Sequence, residues 1–425
     1  LSLPPLPYGD TLLPPPPEDQ EFGLLDAPLE AAPLDEGGID RALASPIASP
    51  PLEEVARGAR RVHVVVPDAT RAAGTRELLA ATLAALGRAG VEPARVAVVF
   101  SLGLHRSPSA EERRRLLGEW EGRLEVVPCE PDRAEDRADL GRTSFGTPVW
   151  LGRRALAADR VILAGSIGFH YFAGFTGGRK AILPGLAASA SIRANHLRVL
   201  GEGDSARDPR VRPGNLDDNP VHLDMQEAAA KVGPAFLVNS VTDDAGRVVA
   251  VFAGHWREAH RAGCEWFAER RALRAPQARR LVVASAGGYP KDINLIQAHK
   301  AMEHAQAAVA DGGALVLAAE CRDGIGHAGF LSWMARRSDL GAFRARLRDH
   351  YEVYGQTAYA LAAKLERFRV VLISALPERE VEAAGMAPAS SLVRALEMAR
   401  LWTGDTPAWW VPHAGAVVIR KGCVA

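Results

Sequence analysis

The chain has 425 residues, 48% of them hydrophobic and 24% charged, which is enough apolar side chain for two or three domains with cores of their own. Its 51 basic residues balance 51 acidic ones, so the charge gives no support to a nucleic-acid or anionic-membrane partner. No window holds the roughly 18 apolar residues of a membrane span, and no basic stretch precedes an apolar run at the start. The four cysteines (129, 264, 321 and 423) stand far apart with no CxxC, which fits reduced thiols and a cytoplasmic protein.

Residues 1–50 are rich in proline and acid, with apolar anchors in FGLLDAPLE and IDRALASPI, and read as an extended arm wrapping the first domain. From residue 56 strands and helices alternate. RRVHVVV (60–66) has the unbroken apolar run of a strand buried on both faces, and TRELLAATLAALGRAG (75–90) has the period of an amphipathic helix closed by glycine. ARVAVVFSLG (94–103) is the next strand. SAEERRRLLGEW (109–120) opens a helix on a serine cap with acids in its first turn. LEVVP (124–128) and DRVILAGS (159–166) follow as strands, NPVHLDMQEAAAKVG (219–233) as a helix, and 236–254 as a strand pair joined through a DDAG turn. A helical stretch over 255–274 leads to a second rhythm: strand 279–288, helix 294–311, strand 313–321, helix 353–367 and a strand at RVVLIS. A short last strand in WWVPHAGAVVIRKG fits either domain. The alternation predicts an α/β fold of two domains, 1–268 and 269–425, each with a mostly parallel sheet flanked by helices.

Residues 165–185, GSIGFHYFAGFTGGRKAILPG, follow the strand 159–166 directly. Glycines this close together let backbone N–H groups converge on an anion, and Lys180 stands in the same loop. The loop lacks the GK[ST] ending of a Walker A motif and the long helix that follows a dinucleotide fingerprint. A tight loop with no ligand is the other reading. Polar residues gather at further strand ends: Asp68 and Arg71, then His105 and Arg106, then Lys291, Asp292, Gln297 and Lys300, then Cys321, Arg322 and Asp323. Each has a plain alternative. Asp68 can cap a helix, His105 can be structural, Arg71, Lys291, Gln297 and Lys300 can face water, and Asp323 can make a turn. Their shared placement beyond the carboxyl ends of strands, where α/β sheets bind ligands, favours a site. There is no HExxH, and His170 and His196 with a lysine make a poor zinc set, because lysine stays protonated and repels a cation. By themselves these residues imply a two-domain enzyme that binds an anion and moves protons with histidine.

Taken in order, PDATR (67–71), SLGLHR (101–106), GFHYFAGFTGGRKAILPG (168–185), RANH (193–196), NPVHLD (219–224) and GGYPKDINLIQAHK (287–300) resemble the nickel-dependent lactate racemase family. The resemblance implies an isomerase that racemises or epimerises 2-hydroxy acids by transient hydride transfer, with its active site in the interdomain cleft. It also implies a nickel-pincer nucleotide (pyridinium-3-thioamide-5-thiocarboxylic acid mononucleotide nickel) as cofactor. By that likeness Lys180 carries the cofactor covalently through a thioamide. His196 is the protein ligand to nickel, whose remaining donors come from the cofactor. The backbone of 174–179, with Thr176, Gly177 and Gly178, cradles the nucleotide, and Asp68 also reaches it. His105 and His170 form the acid/base pair, one for each face of C2. Asp68 and Arg71 orient base and substrate, while Gln297 and Lys300 reach in from the second domain, Lys300 toward the carboxylate. Two departures fall on the substrate side: Ile296 precedes Gln297 where the family carries tyrosine, and 352–365 lacks the tryptophan expected near its start. They point away from lactate toward malate or another larger 2-hydroxy acid, with Arg106 or Arg322 placed to meet a second carboxylate, or else facing solvent. A one-way oxidoreductase or dehydratase-like use of the same cofactor stays open, as does a cofactor-free binding protein on the same fold. The partners implied are a small-molecule 2-hydroxy acid and, transiently, the cofactor-biosynthesis enzymes, with no nucleic acid and no membrane.

Overall fold

Two six-stranded sheets carry the chain in a computed structural model that describes residues 3–16, 21–69, 73–201, 207–352 and 354–422. In spatial order the first sheet is Glu125–Val126, Val96–Ser101, Val62–Pro67, Arg160–Ser166, Phe236–Thr242 and Val248–Gly254. Its neighbours run parallel except the last pair, which is antiparallel. Val64, Val65 and Val66 are fully buried, as expected of a strand covered on both faces and apolar without alternation. From Val62–Pro67 the chain steps to Val96–Ser101 on one side and later returns to Arg160–Ser166 on the other. The loops leaving these strands therefore part company at the middle of the sheet, which is where open α/β sheets present a ligand crevice.

The flanking helices begin where their caps place them. Ser109 and Glu112 form a reciprocal capping box at Ala110–Leu117, and the Asn219 side chain accepts backbone N–H groups at the start of Pro220–Val232. The helix Glu258–Arg271 leads into a four-residue strand, Ala272–Ala275, which pairs in parallel with the last strand, Val418–Lys421. That small ribbon belongs to neither six-stranded sheet. The second sheet is parallel throughout, in the order Ala387–Ala389, Arg369–Ile373, Val309–Ala318, Arg279–Ser285, Ala408–Val411 and Phe22–Leu24. The helix expected over 294–311 stops at Ala305, because Val309 already starts a strand. This is a two-domain α/β fold, as the alternation predicts.

One expectation is corrected. The N-terminal arm does not wrap the first domain alone; it begins on the second. Phe22–Leu24 adds an edge strand beside Ala408–Val411, and Leu6 is fully buried in the second domain's core. The hairpin Leu6–Tyr8/Thr11–Leu13 sits over the carboxyl ends of the second sheet: Ser285 Oγ donates to the Pro7 carbonyl, and Gly9 N–H donates to Asp292 at 2.8 Å. Only afterwards does the arm cross to the first sheet, where Ile47 bridges Gly254 and Leu43 joins the core beneath the helix Thr75–Arg88.

A single apolar cluster runs from Val65 and Leu163 in the first sheet, through Tyr171, Phe172 and Leu183, to Leu295 and Leu317 in the second domain. The glycine-rich loop is thus built into the seam between the domains. Among the described residues, no helix is long and apolar enough to cross a membrane.

Candidate active site

The cleft at this seam is lined from the first domain by Pro67 and Asp68, Ser101–His105, Ala164–Ser166 and the glycine-rich loop, all at the carboxyl ends of three adjacent central strands. From the second domain come Ile296, Gln297 and Lys300 on the helix Leu295–Ala305, and Tyr351, Tyr354, Gln356 and Thr357 around the start of Gly355–Leu365.

The glycine-rich loop is held from behind. Phe169–His170 folds back on Gly174–Phe175 as a two-residue antiparallel pair, and Thr176 N–H donates to the Gly168 carbonyl at 2.8 Å. Gly177 and Gly178 have φ of 76° and 54°, where side chains are disfavoured. Space forbids them too. A Cβ on Gly177 would stand 2.5 Å from Asn239 Oδ1, and one on Gly178 2.6 Å from the His260 ring. Asn239, a polar residue within a buried strand, accepts the Gly178 N–H at 2.9 Å. Beneath the loop the Arg179 guanidinium, 1% exposed, donates to the carbonyls of Ala173 and Gly177. Burial pushes it down to about 10. The guanidinium places a cation directly beneath the loop, a charge that suits an anion.

Three histidines line the same cleft. His105 Nδ1–H donates to Asp68 Oδ2 at 2.9 Å, which fixes the tautomer and leaves Nε2 with its lone pair. Asp68 is therefore a partner of His105 and not the helix cap that its position also allowed; Thr75–Arg88 starts at Gly74 without a side-chain cap. His170 is buried, with its ring stacked on Tyr171 at 5.3 Å and Nδ1 accepting long contacts from the Phe172 and Ala173 N–H groups at 3.5 and 3.3 Å. His196 ends the helix Ser189–His196, its ring edge-on to Phe172 at 4.8 Å. Burial, with the Lys180 ammonium adding to it, pushes His196 down to about 3, so its imidazole is neutral at ordinary pH. Its Nε2 is buried with no hydrogen-bond partner among the described residues. Lys180 Nζ lies 5.5 Å from the Phe172 ring centre, on the same apolar wall.

The fully buried Asp224 anchors the helix that carries His196. It accepts Asn195 Nδ2 at 2.8 Å, Arg198 Nε at 2.9 Å and the hydroxyls of Thr143 and Thr147. This accounts for the aspartate of NPVHLD, which the sequence leaves without a role.

The cleft thus brings together Asp68, His105, His170, Thr176, Gly177, Gly178, Lys180, His196, Gln297 and Lys300. Lys300 Nζ donates to Gln297 Oε1. Arg71 lies outside the described residues. Several other candidates do not take part. Arg106 forms a two-pronged pair with Glu112, and Arg322 pairs with Asp10 and Glu320, so neither faces the cleft to meet a second substrate carboxylate. Lys291 reaches Asp244, and Asp292 accepts the N–H groups of Gly9 and Glu320. At the carboxyl ends of the second sheet, Ser285, Asp292 and Arg322 hold the chain's own N-terminal hairpin. Sequence reasoning missed Asn239, Arg179, His260 and Tyr351. The first is detectable as an asparagine inside an apolar strand; the others carry no local signal. Among the described residues, no group of three or more His, Cys, Asp or Glu side chains stands ready to hold a metal ion unaided.

Comparison with known proteins places this arrangement. A family model described as the lactate racemase N-terminal domain matches residues 8–208, and one described as the lactate racemase C-terminal domain matches residues 275–420. The chain is 33% identical over 394 residues to a lactate racemase of Thermoanaerobacterium thermosaccharolyticum, covering 91% of each. It is 32% identical over 391 residues to a lactate racemase of Lactiplantibacillus plantarum, covering 90% of each. The solved structure of the T. thermosaccharolyticum lactate racemase apoprotein superposes with a TM-score of 0.90 at 31% identity, over 98% of this chain and 99% of that one. A Thermotoga maritima protein of 19% identity shares the fold, with a TM-score of 0.68 over 93% of this chain and 100% of that one.

Proposed function

The chain belongs to the nickel-dependent lactate racemase family, and on that premise we propose that it interconverts the enantiomers or epimers of a small 2-hydroxy acid in the interdomain cleft. The observation that carries this reading is the convergence of Lys180, His196, His105 and His170 on one cavity, with His196 Nε2 buried and without a hydrogen-bond partner among the described residues. The residues suit the cofactor that the family implies. Lys180 would hold the nickel-pincer nucleotide covalently, and the neutral His196 would supply the protein's donor to nickel. The loop over 174–179, with Thr176, Gly177 and Gly178 and the Arg179 cation beneath it, would face the nucleotide phosphate. A nickel ion that takes its other donors from an organic group needs no cluster of protein ligands. When bound, that cofactor supplies reversible acceptance of the C2 hydrogen together with its electron pair.

The protein's part is proton transfer and orientation. His105, anchored by Asp68, takes the hydroxyl proton of one enantiomer, and His170, from the other side, takes that of its mirror image; each returns a proton to the oxygen when the reaction runs backward. Gln297 and Lys300, paired on one helix face, orient the substrate, with the Lys300 ammonium toward its carboxylate. Arg71 is assigned to the substrate on the family pattern. A cytoplasmic enzyme loaded by the cofactor-biosynthesis enzymes completes the reading, and the described cysteines 129, 264 and 321 are free thiols.

Lactate is favoured as substrate by the names of the two relatives. A larger acid such as malate is favoured by Ile296, a branched aliphatic at the cleft wall where the family carries tyrosine. A panel of single-enantiomer acids (lactate, malate, aryl and sugar acids), incubated with cofactor-loaded protein and analysed on a chiral column, decides between them. At least one acid is expected to approach an equal mixture from either enantiomer. Consumption without formation of the mirror image, ending in a keto or dehydrated product, would replace this reading with the one-way alternative.

A further inference from the structure

A metal-bound imidazole is held, as a rule, at the ring nitrogen turned away from the metal by a partner that fixes tautomer and ring plane. For His196 the structure offers such a partner from across the cleft. Its Nδ1 lies 3.2 Å from Tyr351 Oη. Tyr351 belongs to the second domain, in the short connection between the helices Leu340–Asp349 and Gly355–Leu365, and lines the cleft. With hydrogen on Nδ1, His196 donates to Tyr351 and keeps the Nε2 lone pair for a ligand in the cavity. The opposite tautomer would bury an Nε2–H with no acceptor among the described residues. Phe172 closes a further side of the ring. The histidine comes from the first domain and its anchor from the second, 155 residues later.

We propose that Tyr351 is a positioning residue that holds His196 in the Nδ1–H tautomer across the interdomain cleft, so that both domains define the protein's corner of the nickel site. This rests on the reading that His196 binds nickel while Lys180 carries the cofactor. It separates two properties: attachment at Lys180 does not depend on Tyr351, whereas retention of nickel does.

The test uses the full chain produced together with the cofactor-making enzymes, as wild type, Tyr351→Phe and Tyr351→Gln. The mass of the Lys180 peptide, nickel per chain, the rate of nickel loss to EDTA and the absorption spectrum of the loaded protein are measured. Tyr351→Phe is expected to keep the wild-type mass increment on Lys180, to lose nickel about 10–100-fold faster and to show a shifted spectrum. Its cofactor-free form should melt as wild type does. Tyr351→Gln, which keeps an acceptor for Nδ1–H, should hold nickel longer than Tyr351→Phe. The proposal is overturned if Tyr351→Phe keeps its nickel and spectrum, if only its KM for substrate rises, or if the glutamine does no better than phenylalanine. Wild-type protein with neither increment nor nickel would fail before any substitution, and would bring down the proposed function together with this inference.

Discussion

Replacing Lys180 by alanine is expected to abolish racemase activity and to remove the covalent mass increment from the peptide that carries it. Lys180 stands on the glycine-rich loop in the same cavity as His105, His170 and His196. The loop's own shape is held by other groups: Asn239 on the Gly178 N–H, and Arg179 on the carbonyls of Ala173 and Gly177. Truncating Lys180 should therefore leave the fold in place. Lys180→Arg separates attachment from charge, since it keeps a cation but offers no amine to acylate. Both variants should melt near the wild-type temperature and both should be inactive. Wild-type turnover in either would show that the cofactor is not joined there.

The second large effect is expected at the histidine pair. His105→Ala and His170→Ala should each lower racemisation in both directions by about 10²–10⁴-fold, the usual contribution of a positioned acid or base. Racemisation uses both faces of C2, so one remaining histidine does not suffice, although removal and return of the C2 hydrogen on its own face can survive. Their contacts differ in kind: His105 has a carboxylate behind it at 2.9 Å, and His170 Nδ1 accepts long backbone contacts at 3.3 and 3.5 Å. The chiral assay, run from each enantiomer, checks the pair; full activity in either variant would refute the two-base assignment.

Much of this site was legible in the sequence because its signals are local. Glycines at 174, 177 and 178, with Lys180 just beyond, declare a tight loop beside a cation, and Val64–Val66 declare a strand covered on both faces. The carboxyl ends of the first-domain strands could be named from their apolar runs, and Asp68, His105, His170 and Lys180 beyond them do share one cleft. The same rule misled in the second domain. Asp292 and Arg322 also follow strands, but the crevice there is taken by the hairpin at 6–13, and nothing in a local pattern distinguishes a ligand from the chain's own distant segment. The arm was misplaced for the same reason: Phe22–Leu24 finds its partner at Ala408–Val411, almost the whole chain away. Tyr351 and His260 were invisible because their meaning lies in contacts with His196 and Thr176 that form only once the domains and the loop are in place.

The most direct test of transient hydride transfer follows the C2 hydrogen. Cofactor-loaded protein is given a single enantiomer of its 2-hydroxy acid, deuterated at C2, in ordinary water, and the mirror-image product is analysed by mass spectrometry. If the hydrogen leaves C2 with its electron pair and returns to the opposite face, the product enantiomer keeps its deuterium. Product in which solvent hydrogen has replaced the deuterium would mean that C2 loses a proton instead, and would contradict the account.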